Sequence, residues 1–319
     1  PFATKAQNAQ AAGASAVIIF NQGNTPARED LIVGTLAPFS ASIPVVGASF
    51  ADGVALSQPG SQASITLAAP QNITQYNVIA ESKEGDPNNV VMAGAHLDSV
   101  QRGPGINDNG SGSAALLEVA EQMAKVKPRN MVRFAWWGAE EAGLVGSIAY
   151  VNGLSQAEKD RITLYLNFDM IGSPNHVFFI YDGDNSDGVG AGPGPAGSAQ
   201  IEKTFEAFFN MRGVPFKGTD FSGRSDYGPF IANGIPSGGL FTGAEGIKSA
   251  AEAALWGGTA GVAYDPCYHQ ACDTYANNND HALEVNSDAV AFATLQYAMN
   301  TSDINAVKNQ LLQFIGVLW

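Results

Sequence analysis

The sequence predicts a three-layer α/β/α domain with a mostly parallel central sheet, preceded by a small lobe of different pattern. Three observations carry that expectation. From Tyr76 onward, short apolar runs alternate with helix-period stretches, the rhythm that winds successive strands into one parallel sheet. Two of the runs, Met131–Trp137 and Thr163–Phe168, are largely apolar, as strands covered on both faces must be. Residues 1–68 lack that rhythm and Ala69-Pro70-Gln71-Asn72 reads as a linker, so the expected division is 1–68 and 69–319. With 319 residues, 45% of them apolar, the chain can bury a full core in one large domain or two smaller ones.

Taken in order, Phe2–Ala12 is an alanine-rich helix that Gly13 stops. Ala16–Phe20 (AVIIF) is a buried strand, Ile43–Gly47 (IPVVG) a second and Ser64–Leu67 a third. The stretch KAQNAQAAGASAVIIFNQ followed by IPVVGASFADGVAL resembles the later part of the protease-associated domain, a small β-rich module attached to secreted peptidases. The resemblance implies that the first strands of such a module would lie before Pro1; the other reading is an unrelated small α/β lobe. Beyond the linker, Asn77–Ser82 and Val90–Ala95 are strands, and Ser111–Val126 is a helix with Ala115, Leu116, Val119, Ala120 and Met123 on one face. His176–Tyr181 and Pro236–Phe241 are further strands, Ser198–Arg212 is a helix, and Ser287–Met299 and Asn305–Val317 close the chain as helices. Tyr181–Gly197 is a Gly/Asp/Pro loop whose acids are a candidate calcium set, against the plainer reading of a solvated loop.

The composition excludes some functions. A net charge of −14 argues against nucleic acid, whose phosphates would be repelled. No run of about 18 apolar residues is present to span a membrane. No secretory signal is present either, and the chain opens at Pro1-Phe2 inside a helical pattern, as a processed or truncated product would. The two cysteines, Cys267 and Cys272, lie five apart and flank a histidine. That spacing suggests a small disulfide loop and hence an oxidising compartment; free buried thiols or a redox pair are the alternatives, although redox pairs favour C-x-x-C. With 14% charged residues and 36 glycines, the expectation is a loop-rich, secreted, monomeric hydrolase.

The chemistry-bearing residues sit largely where the strands end. VVMAGAHLDSV closes on His96 and Asp98, GINDNGSGS carries Asp108, MVRFAWWGAEE ends on Glu140 and Glu141, TLYLNFD ends on Asp169, and CYHQAC carries His269. Open α/β sheets gather function at the carboxyl ends of their strands, and His with Asp or Glu is the ligand set of a hydrolytic metal site. Two divalent ions about 3.5–4 Å apart need a bridging carboxylate, terminal ligands on each side and one carboxylate left as base. This inventory supplies them. Asp98, two residues beyond His96, can orient its imidazole, and the glycines around Asp108 let the backbone bend towards a metal. Glu140 and Glu141 are adjacent, so their side chains diverge. Each piece alone has a bland reading: HLD at a strand end as structure, a Glu pair as a solvated helix start, Asp169 as a turn acid. Their joint occurrence carries the metal reading. His176 and His281 fit no such pattern and read as ordinary histidines.

AGAHLDSV, GINDNGSGSAALLEVA, FAWWGAEEAGLVGS, LNFDMIG, GRSDYGPF and CYHQACDT, in that order from Tyr76 to Met299, resemble the secreted double-zinc aminopeptidases of the Streptomyces and Aeromonas leucyl aminopeptidase type. The resemblance implies two Zn2+ per chain, with His96 and Asp169 on one, Glu141 and His269 on the other, and Asp108 bridging them. It implies Glu140 as general base, Tyr268 as oxyanion stabiliser and Asp98 as support for His96, with Arg224 and Asp226 in a segment lining the substrate cleft. The chain departs from the family where a further strand and helix usually precede the position of Tyr76. Implied substrates are peptides with a free N-terminus, and Phe221, Tyr227 and Phe241 suit a large hydrophobic first residue. Two other readings stand beside this one: a carboxypeptidase on the same scaffold, and a homologue that has lost its metals and only binds. A carboxypeptidase needs arginines to hold a terminal carboxylate, and near the motifs the sequence offers Arg224 and Arg102.

Overall fold

Two units, Pro1–Ile73 and Thr74–Trp319, are each built on their own sheet. The computed structural model describes residues 2–24, 28–32, 34, 36, 41–68, 72–190 and 192–316. Three of the four residues expected as a linker, 69–71, lie outside the described residues.

In the first unit, helix α1 (Phe2–Ala11) ends just before Gly13, whose φ of 85° turns the chain out of the helix. Strand β1 (Val17–Phe20) pairs in parallel with β2 (Val45–Ala48), Val17 lying opposite Val45. Helix α2 (Phe50–Leu56) is capped by the Ser49 hydroxyl, which accepts from the Asp52 amide. The strand expected at Ser64–Leu67 does not form, since residues 61–68 run without pairing and Leu67 is 56% exposed. A strand exists through its partner, and among the described residues the small sheet holds β1 and β2 alone.

The second unit carries β3 (Val78–Glu81), β4 (Asp86–His96), α3 (Gly112–Met123), β5 (Asn130–Trp137), α4 (Val145–Gly153), α5 (Gln156–Arg161), β6 (Ile162–Phe168) and β7 (Phe179–Tyr181). It continues through α6 (Ser198–Arg212), β8 (Lys217–Thr219), α7 (Tyr227–Ala232), β9 (Ser237–Phe241), α8 (Ala250–Trp256), α9 (Asp280–Met299) and α10 (Ser302–Gly316). The sheet order is β3-β5-β4-β6-β9-β7-β8. Its centre, β5-β4-β6-β9, is parallel throughout; the antiparallel pairings are β3 on β5 and β7 on β9.

Side chains leave a strand on alternate faces, and here both faces are buried. Val91, Ala93 and Ala95 of β4, with Val132 and Phe134 of β5, pack under α3 and α9, and α6 covers β9 and β7. Met92, Ala135, Trp137 and Tyr165 point the other way, against Val151 of α4 and Tyr227 and Phe230 of α7. The helices on the two faces make the three layers, and the apolar runs follow from having no solvent-facing side. The strand expected from His176 pairs only from Phe179, and the helix expected from Ser287 starts at Asp280, where the Asn279 side chain accepts from the Ala282 amide.

Candidate functional site

The parallel centre of the sheet delivers its carboxyl ends to one edge, and there the candidate residues meet. His96 is the last residue of β4, in register with Trp137 of β5; Asp169 follows β6 directly. Glu140 and Glu141 stand three and four residues beyond β5, and Asp108 lies in the irregular turn Ile106–Ser111 ahead of α3. His269 comes from the disulfide loop after α8. Their ligand atoms fall into two groups, His96, Glu140 and Asp169 in one and Asp108, Glu141 and His269 in the other, each within 4.8 Å of one another.

Asp108 joins the two. One carboxylate oxygen is 3.2 Å from His96 Nε2 and the other 3.1 Å from His269 Nε2. His96 Nε2 is also 3.2 Å from Asp169, and His269 Nε2 is 3.1 Å from Glu141. Three residues in the left-handed region sit at these junctions, Ala139 (φ 56°), Met170 (φ 51°) and His269 (φ 57°). Such backbone costs of order 1–3 kcal/mol for a residue with a Cβ and persists where surrounding contacts hold it. Gly112 serves the turn differently, because a Cβ there would collide with the Phe168 carbonyl oxygen.

The electrostatics are those of four carboxylates and two imidazoles sharing few protons. Burial works against a charged His96, but Asp169 and Asp108 outweigh it and hold its pKa well above the ordinary value. His269 rises to about 9 for the same reason, with Asp108 and Glu141 as its acids. Asp108 falls to about 2, because its bonds to His269 and His96 overcome burial. Glu140, 8% exposed, rises to about 9 through burial and the neighbouring Asp169, Asp226 and Glu141. In this state the imidazolium charges neutralise carboxylates that a divalent ion would otherwise compensate. The donors fit zinc, three imidazole or carboxylate atoms per group, and Glu141 Oε1 is a buried acceptor with no hydrogen-bond donor.

Two groups of expected supporting residues sit as follows. Asp98 acts on His96 through its backbone, since His96 Nδ1 lies 3.0 Å from the Asp98 carbonyl oxygen and 3.8 Å from the carboxylate. The carboxylate turns instead to the amides of Glu140 and Glu141, at 2.9 and 3.2 Å, and fixes the segment that carries both. Arg224 lines the cleft but Asp226 does not: it is 1% exposed behind the wall, and burial pushes it up to about 7. The cause is geometric. Asp226 immediately precedes α7, and the turn into that helix points it inward.

Several supporting residues were not singled out from the sequence. Asp273 accepts from the amides of Asn107 and Asp108 at 2.9 and 3.1 Å, and Asp265 accepts from Asn107 Nδ2 at 2.7 Å. Ser225 donates to Asp169 at 2.6 Å, at the end of a buried chain in which Trp137 donates to Tyr165, Tyr165 to Asn167 and Asn167 to Ser225. Asp273 of CYHQACDT, Asp265 just ahead of it and the serine of GRSDYGPF were the available signals.

The cleft, about 340 Å³, has an acidic floor and an apolar wall of Met170, Phe179, Tyr181, Tyr227, Phe241 and Tyr264. Phe221, expected there, stands behind it, stacked on Tyr181 at 5.1 Å. Elsewhere, Asp182, Asp184 and Glu202 of the candidate calcium loop and α6 come together, with Asp182 and Glu202 accepting backbone amides of residues 183, 184, 186 and 187.

Cys267 and Cys272 are disulfide-bonded, Cα–Cα 5.3 Å, around Tyr268 and His269, whose rings stack at 3.8 Å. Closing so short a loop stabilises the fold by only about 2 kcal/mol, so its main effect is positional. The double variant Cys267→Ser/Cys272→Ser is expected to lose roughly 10–100-fold in zinc affinity, the scale of losing a ligand's support, with a small change in unfolding midpoint. Competition with a chromophoric chelator reads the first quantity; unchanged affinity would show that the loop holds His269 without the bridge.

The pattern of peptidase family M28 matches residues 77–294, well over half of the chain. The chain belongs to that family. A PA domain pattern matches residues 1–56. This M28 chain is 56% identical over 308 residues to an aminopeptidase of Pseudomonas aeruginosa, covering 95% of the chain and 57% of that protein. It is 48% identical over 312 residues to the probable leucine aminopeptidase 2 of Aspergillus fumigatus, covering 95% and 61%. The chain thus spans about three-fifths of the length of the relatives it matches. Among solved structures it resembles a zinc aminopeptidase from Bacillus subtilis (TM-score 0.70, 27% identity, 95% of this chain and 70% of that one). The aminopeptidase of Aneurinibacillus sp. strain AM-1 is similar (TM-score 0.68, 30% identity, 94% and 68%).

Proposed function

We propose that this M28 chain carries the active site of a secreted double-zinc aminopeptidase that removes large hydrophobic residues from the N-terminus of peptides. The observation that carries the reading is Asp108, whose two oxygens face His96 and His269 separately. His96 and Asp169 would hold one zinc and Glu141 and His269 the other, with Asp108 available to both. Bound zinc supplies Lewis acidity, polarising a carbonyl and bringing the pKa of water to about 7.

The chain's own residues do the rest. Glu140 takes the proton of the attacking water and delivers it to the leaving amine. Tyr268, at the rim beside His269, donates its hydroxyl to the scissile carbonyl oxygen as negative charge develops there. Glu140 and Asp169 receive the substrate's α-ammonium, and the apolar wall takes its first side chain. The cleft charge favours that polarity. Asp108, Glu140, Glu141, Asp169, Asp220 and Glu245 line it, while Arg224 is the sole arginine or lysine among the described lining residues.

That arginine also bears on the carboxypeptidase reading. Its guanidinium is bonded to both oxygens of Glu245, at 2.7 and 3.4 Å, and is not free to clamp a terminal carboxylate. Arg102 is exposed and bonded to Gln270. The binding-only reading has no support, since every proposed donor is present and oriented inward. The disulfide supports an oxidising, extracellular setting.

The expected result is cleavage of leucyl, methionyl and phenylalanyl nitroanilides and loss of that cleavage on N-acetylation, which removes the cation and leaves the acids poorly paired. Equal turnover of free and acetylated substrates would refute the amino-end assignment, and release of residues only from the carboxyl end of a peptide would favour the alternative.

A further inference from the structure

Three loops converge at the mouth of the cleft. The loop between β8 and α7 brings Arg224, the loop after β9 brings Glu245, and the disulfide loop brings Tyr268. Arg224 Nη1 and Nη2 reach the two oxygens of Glu245 at 2.7 and 3.4 Å, and Nη2 also lies 3.1 Å from the Tyr268 hydroxyl. The guanidinium stands over the Tyr268 ring, 6.0 Å from its centroid. Both members of the ion pair are open to solvent, at 59% and 57% side-chain exposure, so neither is needed to fill the core. A planar guanidinium is well shaped to hold a carboxylate with two parallel hydrogen bonds. Here the chain supplies that carboxylate itself.

The position of the pair gives it a consequence for substrates. A scissile carbonyl placed at Tyr268 puts the next carbonyl group of the peptide one residue away, about 3.8 Å or less along the chain. In a dipeptide that next group is the free α-carboxylate, and Arg224 is the cation beside it. In a longer peptide or an amide the same group is neutral. We propose that Glu245 is a specificity-determining residue, occupying Arg224 and repelling a substrate carboxylate, so that dipeptides are disfavoured against longer or amidated peptides. The proposal rests on the aminopeptidase reading and adds to it the chemistry of the second substrate residue. Specificity of this kind comes from a repulsive element as much as from an attractive one.

The test compares Leu-Gly with Leu-Gly-amide, measuring kcat/KM for each on one preparation, so that any inactive fraction cancels in the ratio. In the unaltered chain the dipeptide-to-amide ratio is expected well below one and to rise with added salt, as the charge of Glu245 is screened. Glu245→Gln frees the guanidinium, and the ratio is expected to rise at least tenfold. Glu245→Asp keeps the charge and is expected to stay within about threefold of the starting ratio. A starting ratio at or above one, a ratio unmoved by Glu245→Gln, or an equal rise in Glu245→Asp would each overturn the proposal. Glu245 is 57% exposed, so Glu245→Ala is a second variant that removes the charge; the same rise is expected from it, and an unmoved ratio there would equally overturn the proposal. Failure of the unaltered, zinc-loaded chain to cleave either substrate, or leucyl nitroanilide, would instead count against the aminopeptidase reading.

Discussion

Glu140→Gln is expected to cut kcat by about 10²–10⁴ while leaving both metals bound, the range for a lost general base. Glutamine keeps the volume of the side chain and one of its acceptor oxygens but cannot take a proton. The position suits the role. The Glu140 amide is fixed by the Asp98 carboxylate at 2.9 Å, so the side chain starts from a rigid point at the cleft floor. In the metal-free chain burial and three neighbouring acids push its pKa up to about 9; bound cations beside it would favour the carboxylate, the form that accepts a proton. Zinc content measured beside kcat separates this role from a ligand's. Glu140 also belongs to the group with His96 and Asp169, so a variant that loses one equivalent of zinc would mean that Glu140 and Glu141 have exchanged parts. Glu141→Gln is the matching control, expected to lose metal first.

Removal of the metals should abolish activity altogether, and their return should depend steeply on pH. In the metal-free chain the acids beside them raise His269 to about 9 and hold His96 well above its ordinary value. Zinc needs both imidazoles neutral, so below those pKa values each entering ion must first displace a proton. The sign follows. Apparent affinity is weakest at low pH, strengthens about tenfold per pH unit for each proton displaced, and levels off only once both raised pKa values are passed. Titration of the chelated chain with zinc from pH 6 to 9, in the presence of a competing chelator, should show that slope and an end point of two per chain. A flat profile, or full activity at one equivalent, would sink the paired-site account.

What could be read from the sequence, and what could not, divides by the range of the interactions. The central strands were legible because burial on both faces leaves an apolar run whatever the rest of the chain does, and β4, β5 and β6 all follow such runs. His96, Asp108, Glu140, Glu141, Asp169 and His269 were legible because their residue types sit at strand ends or in distinctive local motifs. Short helices were missed where composition hides them: α4 begins and ends among glycines, and α7 is six residues long. For α5 and α8 a signal was present, since Ser155 with Glu158 and Ser249 with Glu252 form capping boxes of the S-x-x-E kind. The inward turn of Asp226 and the amide contacts of Asp273 were not legible. They depend on which distant segment packs opposite, and no local pattern encodes that.

The contacts of Asp273 have a further consequence for how the molecule comes into being. Asp273 grips the amides of Asn107 and Asp108 across separations of 166 and 165 residues, and the His96–Asp169 contact spans 73. Closures of that length form late, after shorter-range structure has brought the segments near. The turn carrying Asp108 is therefore held in shape only when nearly the whole second unit has emerged and collapsed. A half-synthesised chain already contains His96 and Asp108, yet it lacks the clamp that aims the carboxylate between two imidazoles. Full metal capture is therefore expected only after the second unit has folded.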